Sequence, residues 1–224
     1  QLQGEPLIFV EVALLPEMAG AIAPLIDKRS APLPPEQFKV AVFYSISNCQ
    51  PGLRGVSLGN FLIKRVAEHL KRELPQVRTF CTLSPIPGLL GWLQRVEPSS
   101  LSGAVLKALD LLHARCGGDL ALIANPTRGP ALDAGAHHAL WRLAAHYLVH
   151  VSPQPHGDPV ARFHLDNGAR LERLNASANL SPKGLRQSAG LMVNYLYDLN
   201  KIEQHHDRFA QGKVAYSRAV SALL

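Results

Sequence analysis

Cysteine and aromatic residues are scarce in this sequence. Its 224 residues include three cysteines, Cys49, Cys81 and Cys116, and none of them belongs to a CxxC pair. An odd number without paired spacing argues against a disulfide framework or a zinc finger and favours a reducing compartment. Aromatic residues make up 6% of the chain and hydrophobic residues 47%, so we expect aliphatic side chains to fill most of the core.

The sequence also lacks an apolar run long enough to span a bilayer, and its first residues show no signal-peptide pattern. The formal net charge is +6, but lysines and arginines are dispersed and no aromatic residues are interleaved with them. Such an excess suits an anionic small molecule as well as a nucleic acid, and the missing aromatic platform disfavours the latter. We therefore expect a cytoplasmic protein with no membrane partner and no nucleic-acid partner.

The periodicity of apolar residues predicts an α+β protein. Strands are expected at residues 7–15, 38–47, 77–83 and 190–198, together with a hairpin at 160–174 that turns at "DNG". Helices are expected at residues 58–73, 89–96, 100–116 and 131–151, and in the tail from residue 201. This order predicts one mixed sheet with helices on its faces. Residues 99–151 would form a helical insertion within a single domain of residues 1–224.

One joint between a strand and a helix is crowded with glycine. It lies in "NCQPGLRGVSLGNFLIKR", Asn48 to Arg65, and matches neither the Walker pattern nor the Rossmann GxGxxG spacing. The free amides at the start of the following helix favour an anion, and Arg54 adds a charged donor. Ser57 stands where an N-cap residue belongs. An anion-binding loop and a purely structural turn are both compatible with these residues alone.

The segment "RGVSLG" in this joint resembles the (Q/R)xxGx(G/A) pyrophosphate loop of the GNAT acetyltransferase superfamily, with serine in place of the first glycine. In that superfamily the loop lies between a central strand and a helix, as it does here. The resemblance implies that this loop binds coenzyme A. The residues concerned are Arg54, Gly55, Val56, Ser57, Leu58, Gly59 and Asn60.

Four blocks in sequence order resemble the catalytic domain of the malonyl-CoA decarboxylase family, which is built on the GNAT fold. They are "FYSISNCQPGLRGVSLGNFLIKRV", "TLSPIPGLLGWL", "PVARFHLDNGARLERLN" and "SPKGLRQSAGLMVNYLYDL". The resemblance implies a mostly antiparallel sheet with helices on both faces. It also implies decarboxylation of malonyl-CoA to acetyl-CoA and CO2, in fatty acid metabolism.

The resemblance assigns Ser84 and His164 to the active site. Ser84 is interpreted as a hydrogen-bonding group that orients the malonyl or thioester group, and His164 as the proton donor to the enolate. Strand alternation predicts that Phe163 and Leu165 face the core while His164 faces the acyl group. The thioester carbonyl accepts the electrons that CO2 leaves behind, so we expect no cofactor and no metal.

Three departures from the family pattern are visible. The family carries a helical N-terminal domain, which this chain does not show, and any homo-oligomer would form mainly through it. Arg54 stands where the family has glutamine, and a tryptophan and an aspartate expected within Ala176 to Asn179 are absent. Tyr195 and Tyr197 are further candidate donors, and at least one of them is expected to pack in the core.

Other functions compete with decarboxylation. The same fold supports an acyl-CoA-dependent acyltransferase or a non-catalytic CoA-binding module. A Ser–His hydrolase is disfavoured because GxSxG is missing and Pro85 follows the serine. Four histidines on one predicted helix lack an HExxH glutamate, so a solvated helix face is favoured over a metal site. They are His137, His138, His146 and His150. "HHD" at 205–207 is interpreted as a polar surface run.

Overall fold

The computed structural model describes residues 8–49, 58–125, 127 and 129–224. Within them six strands form one mixed sheet, in which β1 pairs antiparallel with β2, and β2 parallel with β3. Strand β6 pairs antiparallel with β3 and β4 on one side and with β5 on the other. The strands are β1 Ile8–Leu15, β2 Val40–Asn48, β3 Thr79–Thr82, β4 Ser84–Pro85, β5 Arg170–Asn175 and β6 Met192–Leu196.

Strands β3 and β4 follow one edge of β6 in a single register. Cys81 lies opposite Leu196, and Ser84 lies opposite Val193. The two short strands therefore behave as one extended segment, interrupted at Leu83. This register places Ser84 opposite Val193, the second residue of β6.

Helices cover the sheet and extend one large apolar core. Helices α4 and α5 pack on each other, and their buried leucines belong to the same core as Phe43 of β2 and Val193 of β6, whereas Val42 and Met192 of these strands belong to a second, smaller cluster. Among the described residues no helix is both long enough and apolar enough to cross a membrane. The helices are α1 Ala23–Ile26, α2 Leu58–Glu73, α3 Leu89–Leu93, α4 Gly103–Arg115, α5 Ala134–His146, α6 Pro159–Asp166, α7 Pro182–Ser188, α8 Ile202–Ala210 and α9 Arg218–Ser221.

The predicted hairpin at residues 160–174 is wrong. Its first half is helix α6, which begins at Pro159 after the N-cap Asp158, a pairing typical of a helix start. Only its second half is a strand, β5. The Asn-Gly pair ends the helix, with Asn167 as the C-cap and Gly168 at a φ of +75°. The pattern located a positive φ correctly, but the turn follows a helix instead of joining two strands.

The other elements follow the sequence closely. The α+β class and the mostly antiparallel sheet are confirmed, as are the strands near residues 7–15, 38–47 and 190–198. The strand predicted at 77–83 is shorter, and the helix predicted at 131–151 ends in a π-helical turn, Tyr147–Val151. Helix α7 was not predicted, although Ser181 caps it and Pro182 begins it.

Candidate active site

Ser84 and His164 meet inside the protein. The Ser84 Oγ lies 3.0 Å from the His164 Nε2, and both side chains are buried, at 5% and 4% exposure. The two residues predicted as catalytic are therefore hydrogen-bonded to each other. His164 reaches this position from helix α6 and not from a strand. Phe163, which was predicted to face away from His164, packs edge-on against the imidazole instead.

The hydroxyl of Ser84 is also fixed by its own strand segment. It donates to the Thr82 Oγ1 at 2.9 Å, and the Thr82 Oγ1 accepts the backbone N–H of Tyr195 at 3.2 Å. Pro85 and Pro87 follow Ser84 closely and restrict the backbone of this turn. The serine is therefore held from both its side chain and its main chain.

Two tyrosines surround the imidazole on other sides. The His164 Nδ1 lies 2.8 Å from the Tyr197 hydroxyl, so both ring nitrogens have hydrogen-bond partners. The Tyr195 ring stacks on the imidazole with 4.6 Å between centroids and 27° between planes. The prediction that at least one tyrosine packs in the core is confirmed for Tyr195, which is fully buried. Its hydroxyl has no hydrogen-bond partner among the described residues.

Burial sets the protonation state of these groups. It lowers the pKa of His164 to about 3, because the charged imidazolium is poorly solvated there. It raises the pKa of Tyr195 and of Tyr197 above the ordinary tyrosine value. At neutral pH the ring and both phenols are therefore uncharged.

An asparagine network, which sequence reasoning missed, braces β6 behind the serine. The Asn194 Nδ2 donates to the Thr82 carbonyl at 2.8 Å and to the Ala19 carbonyl at 3.1 Å. Its Oδ1 accepts from Asn175 at 2.8 Å and from Arg173 at 3.2 Å. A polar residue in the apolar strand "LMVNYLY" was the available sign, since a buried amide requires partners.

The predicted coenzyme A loop lies largely outside the described residues. This applies to Arg54, Gly55, Val56 and Ser57. Leu58, Gly59 and Asn60, the last three residues of the predicted loop, form the first turn of α2. The loop therefore leads directly into a helix. The assignment of this loop to coenzyme A therefore stays a prediction.

The competing histidine sites contain no metal-binding group. Within the described ranges no three His, Cys, Asp or Glu side chains are arranged to hold an ion. His137 and His138 are exposed, whereas His146 is half-buried and stacks on Trp92. The run "HHD" is only partly a surface feature, because His205 is buried and its Nδ1 lies 3.2 Å from the Gly168 carbonyl.

Comparison with known proteins gives consistent matches along the chain. The family model described as "Malonyl-CoA decarboxylase C-terminal domain" matches residues 1–224. The mitochondrial malonyl-CoA decarboxylase of Anser anser anser is 37% identical over 222 residues, which cover 88% of this chain and 42% of that protein. The mitochondrial enzyme of Mus musculus is 37% identical over 217 residues, covering 88% of this chain and 44% of its own.

Solved structures of the same kind match as well. Malonyl-CoA decarboxylase from Rhodopseudomonas palustris superposes with a TM-score of 0.78 at 46% identity, over 97% of this chain and 49% of that one. The protein from Cupriavidus metallidurans gives 0.80 at 44% identity, over 98% of this chain and 55% of that one. The chain thus spans about half the length of the relatives it matches.

Proposed function

This chain belongs to the malonyl-CoA decarboxylase C-terminal domain family, and on that premise we propose that it converts malonyl-CoA to acetyl-CoA and CO2. The observation that carries the proposal is the buried hydrogen bond between Ser84 and His164, 3.0 Å long. This bond places the Ser84 hydroxyl, which can bind an anionic substrate group, beside the His164 imidazole, which can exchange a proton. Both groups are needed when a thioester loses a carboxylate.

In the proposed reaction, the bond between the α-carbon and the carboxylate breaks and CO2 leaves. The electron pair moves onto the thioester carbonyl and forms an enolate. When substrate binds, the Ser84 hydroxyl turns its single proton from the Thr82 Oγ1 towards the substrate, where it orients the malonyl group or stabilises the developing oxyanion through a hydrogen bond. His164 then protonates the α-carbon, and solvent restores the proton, so each turnover consumes one proton.

The low pKa of His164 is compatible with this role. Burial alone favours the neutral ring. The malonyl carboxylate and the enolate that replaces it bring negative charge beside the imidazole, and negative charge raises a histidine pKa. Substrate binding therefore moves the pKa of His164 upward, in the direction that proton donation requires. The Tyr197 hydroxyl at 2.8 Å from the Nδ1 keeps the ring oriented.

The deciding experiment is incubation of the purified protein with malonyl-CoA alone. CO2 release and acetyl-CoA formation without any acceptor support decarboxylation. Acetyl transfer from acetyl-CoA to an amine, with malonyl-CoA left intact, would instead identify an acyltransferase. Binding of coenzyme A with no turnover of either thioester would identify a CoA-binding module.

The proposal includes the environment and assembly of the protein. We propose a cytoplasmic location; the buried thiols of Cys81 and Cys116, which form no disulfide, fit a reducing compartment. Burial raises the pKa of Cys81 to about 12, so this thiol is unreactive at neutral pH.

We propose a homo-oligomer that forms mainly through a helical N-terminal domain, with coenzyme A thioesters as the binding partners and neither cofactor nor metal. Cell fractionation and light scattering on the full-length protein test the location and the assembly.

A further inference from the structure

A second buried polar residue, Asp158, is the N-cap of helix α6, the helix that carries His164. The side chain is 1% exposed. Its Oδ1 accepts the backbone N–H groups of Val160 and Ala161, both at 3.0 Å, and thereby caps helix α6. Its Oδ2 accepts the backbone N–H of Gly88 at 2.9 Å. The hydroxyl of Tyr147 also donates to this carboxylate.

The two oxygens of Asp158 therefore serve different parts of the fold. Gly88 ends the turn "SPIPG" that begins at Ser84, and its two prolines leave this turn little freedom. Asp158 itself begins the short helix that carries His164. One carboxylate thus connects the segment bearing the serine to the segment bearing the histidine.

A helix cap alone does not require this arrangement. Asp133 caps α5 through its Oδ1, which accepts the Ala136 N–H at 2.8 Å, but its side chain is 48% exposed and its Oδ2 pairs with the exposed Arg115 instead of a buried amide. Burial of a carboxylate is costly, and it raises the pKa of Asp158. A buried, charged carboxylate needs several hydrogen-bond donors, and one donor to Asp158 is the Gly88 N–H, in the turn that begins at Ser84. Gly88 also leaves the required room, because a Cβ there would overlap the Tyr147 hydroxyl.

We propose that Asp158 is a positioning residue that sets the separation between Ser84 and His164 by binding the Gly88 amide. Its kinetic consequence rests on the proposed decarboxylation, whereas its effect on the geometry of His164 does not. Loss of this bond releases the "SPIPG" turn from helix α6. The distance between the Ser84 Oγ and the His164 Nε2 then varies, and misplacement of about 1 Å costs up to about 10²-fold in rate.

Asp158→Asn separates this role from capping. Asparagine caps helices about as well as aspartate, so its amide oxygen keeps α6 intact. Its NH2 group then faces the Gly88 N–H, which can only donate, so the bond to Gly88 is lost, whereas the Tyr147 hydroxyl can turn and accept from the new amide. We expect kcat for malonyl-CoA to fall about 10- to 100-fold while KM changes less than about 3-fold. Asp158→Ser, which also caps but is too short to reach Gly88, should show the same loss and replaces the first variant if that one does not fold.

The matched control is Asp133→Asn, which makes the same change at the cap of a helix that carries neither residue of the pair. Its kcat should equal that of the unmodified protein. NMR of histidine-labelled protein supplies a readout that does not depend on turnover. The ring resonance of His164, identified by its absence in His164→Asn, should move in both Asp158 variants and stay in place in Asp133→Asn.

Unchanged kcat together with an unchanged His164 resonance in a folded Asp158 variant would overturn the proposal and leave Asp158 as a cap only. A protein that never turns over malonyl-CoA would contradict the proposed function instead. In that case the His164 resonance still decides the positioning role.

Discussion

The Ser84 hydroxyl and the His164 imidazole are 80 positions apart in the sequence and 3.0 Å apart in the fold. Ser84 begins a two-residue strand, and His164 lies in the last turn of a helix. Because both are buried, water competes little for their hydrogen bond, and the interaction is stronger than it would be at the surface. The functional predictions depend on this contact.

Ser84→Ala tests the role of the hydroxyl. The change removes one donor and little volume, so the fold should persist. We expect kcat to fall about 10²- to 10³-fold, the usual effect of deleting a donor that acts on developing charge. Steady-state CO2 release measures it, and Ser100→Ala, which alters an exposed serine, serves as the control.

The same residue distinguishes decarboxylation from hydrolase-type catalysis. A serine nucleophile would carry an acyl group during turnover, whereas an orienting hydroxyl would not. Mass spectrometry of protein quenched during turnover should show no added mass at Ser84. A malonyl or acetyl adduct there would refute the proposed mechanism.

Arg54→Ala tests the coenzyme A loop predicted from the sequence. Loss of a charged hydrogen bond to the pyrophosphate should weaken binding of free coenzyme A by about 1.5–3 kcal/mol. Gly59→Val should weaken it further, because a branched side chain obstructs the approach of the backbone to the phosphates. Calorimetry measures both. Arg29→Ala is the control, since Arg29 is exposed and pairs with Asp27. Unchanged affinity in both loop variants would contradict the assignment.

The pH dependence of stability reports the burial of His164. Its pKa is about 3 in the folded protein, below the ordinary value of 6.5, so the unfolded chain takes up the proton first as the pH falls. The stabilising contribution of the neutral ring is therefore complete above pH 6.5 and is lost progressively between pH 6.5 and about 3. From this residue alone the free energy of unfolding should fall by about 1.4 kcal/mol per pH unit in that window.

Urea denaturation at pH 7, 6 and 5 tests this dependence against His164→Asn. The variant should be less stable at pH 7 but should lose less stability as the pH falls, since asparagine does not titrate. His146 and His205, whose pKa values burial also lowers, are present in both proteins and cancel in the comparison. Parallel pH dependences would show that His164 is not buried as a neutral ring.

The sequence predicted the sheet better than it predicted the site. Strand β2 and helix α2 have clear periodicity, and the strand that precedes Ser84 ends at a turn rich in proline. Helix α6 was missed because the Asn-Gly pair was interpreted as a hairpin turn, although Asp158 and Pro159 marked a helix start. Both patterns are local, and the correct assignment required the Asp158–Pro159 helix start to be given priority over the Asn-Gly turn.

Other features of the site arise only from tertiary contacts. Tyr197 lies 33 positions from His164, and the contact of its hydroxyl with the imidazole follows from the pairing of β6 with β3 and β5. The Gly88–Asp158 bond likewise joins segments 70 positions apart. Local periodicity contains no information on such pairs, whereas the family resemblance identified Ser84 and His164 without their geometry.

The role of His164 is decided by two substitutions compared together. His164→Ala removes both the hydrogen bonds and the transferable proton, and kcat should fall about 10²- to 10⁴-fold, the range for general acid–base groups. Affinity for free coenzyme A should change little, because the predicted nucleotide clamp is the loop of residues 54–60.

His164→Asn keeps a hydrogen-bond donor near Ser84 but cannot transfer a proton at the same position. Comparable losses in both variants would support proton transfer, because a hydrogen bond alone would then be insufficient. Nearly full CO2 release by the Asn variant, with a large loss in the Ala variant, would mean that His164 only orients the substrate. The proton would then come from water or from Tyr197, and adding Tyr197→Phe to His164→Asn would distinguish these sources, because CO2 release should fall only if the tyrosine supplies the proton.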